Sequence, residues 1–379
     1  MIKVGSDFSG VGAFNQALIR LGIPYKEIFA CDMDKYARQT FIHNYGEPEY
    51  YPTNVYEREI PKESLDIYSS SPPCQAFSLA GKRLGKDDKR GILFFNSLEF
   101  IQVNKPRYFI FENVKGLLSD DNGKTFQEWI NMLGGKSING LPILFPYEDA
   151  VSYHLYWKIL NAKEHGVPQN RERVFLIGIR DDSDNNFRFP VEEHLTKRLK
   201  DVLEEDVDYK YFLSEKMLEL LTRCEKGNTE VANINKGGQK GSVQSENGKY
   251  IGCLSATDYK LPKLIEVKSA TPKGYEEDTG CQQGVWIADY RNDEGLRIRK
   301  DNISPCMAAR KHSETDISTM SPIIGYDYKI RRLTPRECFR LMDFPDTFTW
   351  PVSDSQAYKQ AGNSIVVNVL YKILKNLNL

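Results

Sequence analysis

Short apolar runs alternate with amphipathic stretches through the first half of the chain, and no other feature restricts the fold as strongly. Strands that recur with helical segments between them build a mostly parallel sheet, because each connection must cross back over the sheet as a helix. The expected strands are Lys3 to Phe8, Ile28 to Cys31, Leu65 to Ser69, Arg107 to Phe111 and Val174 to Ile179. After the first, Gly10 and Gly12 mark a turn, and AFNQALIRLG reads as a helix ended by Gly22. The fold class expected is α/β.

At 379 residues the chain is long enough for one large core and a smaller second domain. Composition shifts after Arg180. DDSDNN opens a polar stretch, and Gly227 to Gly252 is rich in Gly, Asn, Lys and Ser, which suits loops. Near the end, QAYKQAGNSIVVNVLYKILKNL returns to a helical apolar period and reads as a C-terminal helix that rejoins the first domain. The expected division is a first domain over 1–181, completed by 352–379, and a second over 182–351.

Several function classes are disfavoured at once. No apolar run approaches the ~18 residues of a membrane span, and MIKVGSDFSGVG has no basic leader before an apolar core, so a cytoplasmic protein is expected. The seven cysteines are scattered singly, which fits neither a disulfide framework nor a zinc cage, and no metal is expected. Lys and Arg number 51 against 52 Asp and Glu. Any contact with nucleic acid must therefore come from local basic patches.

Four places carry chemistry. A glycine turn between strand and helix lets backbone N–H groups meet an anionic group, and Asp32, about 20 positions after Gly12, stands where ribose hydroxyls are held in nucleotide-binding folds. Phe8, Gly10 and Gly12 lack the third glycine of the pyrophosphate fingerprint, which favours a ligand with a carboxylate over a dinucleotide. On these residues alone an ordinary tight turn stays open. In SPPCQAFS, Ser71 to Ser78, two prolines after a strand make a rigid turn that presents Cys74 at the carboxyl edge of the sheet. Thiolate is the nucleophile suited to attack on an electron-poor ring carbon. Most lone cysteines are small buried hydrophobes, but the prolines and the polar Gln75 and Ser78 argue against that here. Glu112 follows an apolar strand and can hold or deliver a proton; Arg171 and Arg173, two apart, face one side of a strand. Taken singly, each of these charges also reads as a solvated strand end.

Together and in order, FSGVG, SPPCQAFS, ENV, QNRERVFLIG, RRLTPRECFRLMDFP and QAYKQAGNS resemble the motifs of the C5-cytosine DNA methyltransferases. The resemblance covers the chain apart from Arg180 to Tyr328. It implies a Rossmann-like S-adenosylmethionine-dependent fold with a loop-rich target recognition domain, acting on double-stranded DNA as a monomer, in a restriction-modification, orphan or phage setting. Cys74 would attack C6 of an extruded cytosine, Glu112 would contact N3 and the exocyclic amine, Arg173 would hold O2, and Arg171 would support them. Phe8, Gly10 and Gly12 would take the methionine end of the cofactor, Asp32 the ribose and Met33 the adenine, with Pro73, Asn363 and Ser364 completing the pocket and S-adenosylhomocysteine as product. Asn54 replaces an acidic residue often found near the adenine amine and can accept through its carbonyl. The segment Gln75 to Gly91 resembles the loop that closes over DNA, so Gln75, Ser78, Lys82, Arg83 and Arg90 would contact it, as would Arg310 in the recognition domain. There Cys306 and Met307 replace the usual Thr-Leu pair, and Arg331 to Cys338 would brace that domain. The rivals are a tRNA methyltransferase that shares the nucleophile, a nucleotide-binding oxidoreductase and a catalytically idle DNA-binding regulator.

Overall fold

The computed structural model describes residues 1–72, 92–180, 182, 186–211, 286–291, 295–299, 323–326 and 329–379. The first sheet contains β1 (Ile2–Asp7), β2 (Tyr25–Cys31), β3 (Ile67–Ser70), β4 (Tyr108–Val114), the short β5 (Ser137–Ile138) and β6 (Leu141–Pro142), β7 (Tyr153–Asn161) and β8 (Glu172–Arg180). Its order is β2-β1-β3-β4-β8-β7-β5-β6. The first four strands in that order run parallel, as the sequence alternation requires, whereas β8 runs antiparallel to both β4 and β7. The sheet is thus mixed, with its parallel half on the side that carries the glycine turn.

Helices α1 (Ala13–Leu21), α2 (Lys35–Tyr45), α3 (Ile92–Asn104), α4 (Lys124–Leu133), α5 (Pro335–Leu341), α6 (Asp354–Asn363) and α7 (Val367–Lys375) complete the described frame. Their ends follow local chemistry. Gly22 closes α1 in the left-handed conformation, Asp34 caps α2 by accepting from Tyr36 and Ala37 N–H, and Thr334 with Glu337 forms a capping box on α5.

Strand alternation splits the core in two. Ile67, Tyr108 and Ile110 face α1, α5 and α7, where Leu18, Phe339, Leu370 and Ile373 pack against them. Tyr68, Phe109 and Phe111 face the opposite side, with Phe29, Phe94, Phe100 and Trp129. A central strand buried on both faces must be apolar throughout, which explains the unbroken YFIF of β4.

Three features differ from the sequence reading. β7 was not expected; its Tyr, Trp and Ile content suits a strand, but its apolar positions do not alternate cleanly. The single C-terminal helix is two, α6 and α7, separated by extended backbone at Ser364. Within the stretch expected to be loop-rich, β9 (Trp286–Arg291), β10 (Gly295–Arg299), β11 (Ile323–Tyr326) and β12 (Lys329–Arg332) form an antiparallel sheet in the order β10-β9-β11-β12. Just after it, Leu333, Phe339, Phe344 and Phe348 are buried in the same cluster as α1 and α7. Among the described residues no helix is long and apolar enough to cross a membrane.

Candidate active site

The register between β4 and β8 creates the central pair. Glu112 and Val114 share a face of β4, and Arg173 lies opposite Val114, so its side chain rises on the same face as Glu112 at a diagonal position. Arg173 Nε stands 3.0 Å from Glu112 Oε1. Burial pushes the Glu112 carboxyl pKa above its ordinary value, and the guanidiniums of Arg173 and then Arg171 pull it back. Burial thus favours the protonated form of this carboxyl while Arg173 keeps one of its oxygens in place.

Arg171 has a different task. It is buried, and its Nη2 donates to the carbonyls of Gly362 at 2.9 Å and Ser364 at 2.8 Å. These carbonyls belong to the break between α6 and α7; the guanidinium satisfies them where a continuous helix would have done so. Its backbone N–H donates to Asn161 Oδ1 at 3.0 Å. Two residues earlier, Gln169 Nε2 donates to Leu341 O at 2.7 Å, tying this segment to the end of α5.

Phe8, Gly10, Gly12, Asp32 and Met33 lie just past the carboxyl ends of β1 and β2. Phe8, Gly10 and Gly12 all have positive φ, at 57°, 54° and 82°. A side chain at Gly12 would also run into the Tyr45 ring, whereas the space around Gly10 is open. Gly10 N–H donates to Asp32 Oδ2 at 2.8 Å and Asp34 N–H to Asp32 Oδ1 at 2.8 Å, so Asp32 anchors the turn. Burial raises the pKa of that carboxyl. Beside it Met33 is 86% exposed, an apolar surface left open among the described residues. Asn54 Oδ1 accepts from Tyr56 N–H at 3.1 Å, leaving one lone pair and its NH2 for other contacts. Asn363 is exposed and Ser364 buried at the head of the break described above. An open glycine turn, a carboxylate beside it and an uncovered thioether suit a ligand with an amino-acid end, a ribose and a flat base.

Pro73, Cys74, Gln75, Ser78, Lys82, Arg83, Arg90 and Arg310 lie outside the described residues, as do Cys306 and Met307. The approach to Cys74 is described, however. Asn113, next to Glu112, donates from Nδ2 to Pro72 O at 3.2 Å, and Ser70 Oγ pairs with Ser97 Oγ at 2.9 Å. Sequence reasoning missed Asn113 as a brace for this segment, although its place inside ENV was the available signal. Cys31 and Cys338 are buried, and burial together with the Asp7 charge pushes the Cys31 thiol up to about 12. Neither is suited to nucleophilic attack.

Over nearly its whole length the chain is similar to known methyltransferases. Orphan methyltransferase M.SPRI of Bacillus phage SPR is 32% identical, over 99% of this chain and 97% of its own length. The type II methyltransferase M.HpaII of Haemophilus parainfluenzae is 32% identical over 98% of this chain and 88% of its own. Among solved structures, a mutant of Spodoptera frugiperda DNMT2 matches with a TM-score of 0.63 at 21% identity, covering 99% of each chain, which shows a common fold. The model of the C-5 cytosine-specific DNA methylase family matches residues 2–378. With the glycine turn, the ENV strand and the Arg-Glu-Arg strand assembled at one sheet edge, this chain belongs to the C-5 cytosine-specific DNA methylases.

Proposed function

We propose that the chain is an S-adenosylmethionine-dependent DNA (cytosine-5)-methyltransferase that acts on double-stranded DNA. The observation that supports it most directly is the pairing of buried Glu112 with half-buried Arg173 at 3.0 Å, set at the carboxyl edge of the sheet beside the segment that enters SPPCQAFS. The target carbon is out of reach in stacked DNA, so the cytosine must first leave the helix, at a cost of a few kcal/mol.

Cys74 then adds its thiolate to C6. Glu112 meets the negative charge that builds at N3 by supplying a proton there and holds the exocyclic amine; Arg173 fixes O2. The electron pair released toward C5 makes that carbon nucleophilic. S-adenosylmethionine, when bound, supplies an electrophilic methyl group and departs as S-adenosylhomocysteine. A base takes the C5 proton; as Glu112 takes back the N3 proton, the C5–C6 double bond re-forms and Cys74 leaves as thiolate. Phe8, Gly10, Gly12, Asp32, Met33, Asn54, Pro73, Asn363 and Ser364 are the residues proposed to hold the cofactor.

In this reading 1–181 with 352–379 performs the chemistry and 182–351 reads the DNA, its last part packed on the catalytic core. Gln75, Ser78, Lys82, Arg83, Arg90 and Arg310 are proposed to touch the duplex, and the protein to work as a cytoplasmic monomer in restriction-modification or phage modification. Tritium transfer from labelled cofactor to duplex DNA, compared with tRNA, tests the activity. A 5-fluorocytosine duplex should leave the protein covalently linked through Cys74; labelling of tRNA alone, or no adduct with cofactor present, would overturn the proposal.

A further inference from the structure

A buried polar network lies directly beneath the cofactor turn and takes no part in the mechanism above. Asp7 ends β1, immediately before the left-handed Phe8. Its Oδ1 stands 2.9 Å from Arg58 Nε, with the side chains 0% and 2% exposed, and its Oδ2 accepts from Tyr68 OH at 2.6 Å. The Asp7–Arg58 contact is close but off the hydrogen-bond line, an ion pair held by packing more than by direction. Arg58 lies over the Phe100 ring at 4.8 Å, and its Nη2 donates to Asn96 O in α3 at 3.3 Å. Tyr68 stacks on Phe100 with ring centroids 4.1 Å apart and sits in β3, whose end leads through Ser70 to Pro72.

Such a network is a poor device for stability alone. Desolvating two charges offsets most of their attraction, and well-packed apolar side chains of similar volume hold a core as well or better. What it supplies is register. Asp7, gripped at both oxygens, sets the direction in which the chain enters a strained conformation at Phe8, which persists only where its surroundings over-determine it. The same guanidinium and phenol tie that point to α3 and β3.

We propose that Arg58 is a positioning residue for methyl transfer: gripping Asp7 in β1 and the Asn96 carbonyl in α3, it fixes the cofactor turn relative to the helix that follows the SPPCQAFS motif. This rests on the methyltransferase reading above. Methyl transfer needs the donor carbon and the target ring aligned within tenths of an ångström, and a misplacement of about 1 Å can cost on the order of a hundredfold in rate.

The test uses the full chain with saturating duplex DNA and saturating labelled S-adenosylmethionine, alongside thermal unfolding. Arg58→Lys keeps the charge beside Asp7 but gives up the planar fork that also reaches Asn96. The double variant Asp7→Leu with Arg58→Met replaces the ion pair by apolar groups. The expected result for both is a melting temperature near that of the parent with kcat lowered about tenfold or more, beyond any change in the KM for cofactor. A folded variant of either kind that keeps the parental kcat would overturn the proposal, and Arg58→Lys alone decides if the double variant does not fold. A parent protein that binds cofactor but transfers no methyl group would instead sink the methyltransferase reading itself.

Discussion

Arg173 Nε approaches Glu112 Oε1 to 3.0 Å because β8 runs antiparallel to β4 and sets Arg173 opposite Val114. The acid and the guanidinium are therefore preassembled before any base arrives. Glu112→Gln keeps the shape but cannot supply a proton to N3. Its kcat should fall by roughly 10² to 10⁴, with cofactor affinity preserved; a single-turnover methylation assay paired with calorimetric titration of S-adenosylhomocysteine checks both halves.

Cys74→Ser should abolish turnover and leave cofactor binding intact, because serine is a far weaker nucleophile than a thiolate near neutral pH. Detectable methylation by that variant, at any cofactor concentration, would remove Cys74 from the mechanism.

Arg171 and Arg173 should separate cleanly. Arg171→Ala strips the buried Gly362 and Ser364 carbonyls of their donors, and charged hydrogen bonds of this kind are worth about 1.5 to 3 kcal/mol each. Thermal unfolding should register a loss of several degrees. Arg173→Ala, at a less buried position, should cost less stability and far more kcat.

Raising the pH from 4.5 to about 8 should loosen the fold through Glu27. Burial pushes its pKa to about 8, opposed by the hydrogen bond from Asn15 Nδ2, while its ordinary value is 4.5. The folded protein thus keeps a proton that the unfolded chain has already released. Stability from this group is complete below 4.5 and is lost as pH climbs through about 8, with a slope of at most about 1.4 kcal/mol per pH unit. Urea denaturation of Glu27→Gln should lack that slope; identical pH dependence in parent and variant would exclude Glu27 as its source.

Thiol reagents should distinguish the cysteines. Cys31 and Cys338 are buried, and Cys31 is held protonated, so neither should react in the folded protein. Mass spectrometry after brief alkylation should find both unmodified until denaturant is added.

Much of the site was legible because its parts are local. A glycine turn after a strand, a proline-fixed cysteine and an acid at a strand end each announce themselves within a few residues. What could not be read is the pairing between distant segments. Nothing near Arg171 reveals that its partners are backbone carbonyls at Gly362 and Ser364, and so the break between α6 and α7 was hidden inside a continuous helical period. The Asp7–Arg58 pairing is likewise invisible in the sequence, since a buried ion pair leaves no periodic trace. The direction of β8 was equally silent, because a fully buried strand is apolar whichever way it runs.

The break between α6 and α7 also orders events during synthesis. Arg171 leaves the ribosome long before Gly362 and Ser364 exist, and until they are made these two hydrogen bonds cannot form. The clasp between β8 and the end of α6 therefore closes only after nearly all of the described sequence has been translated.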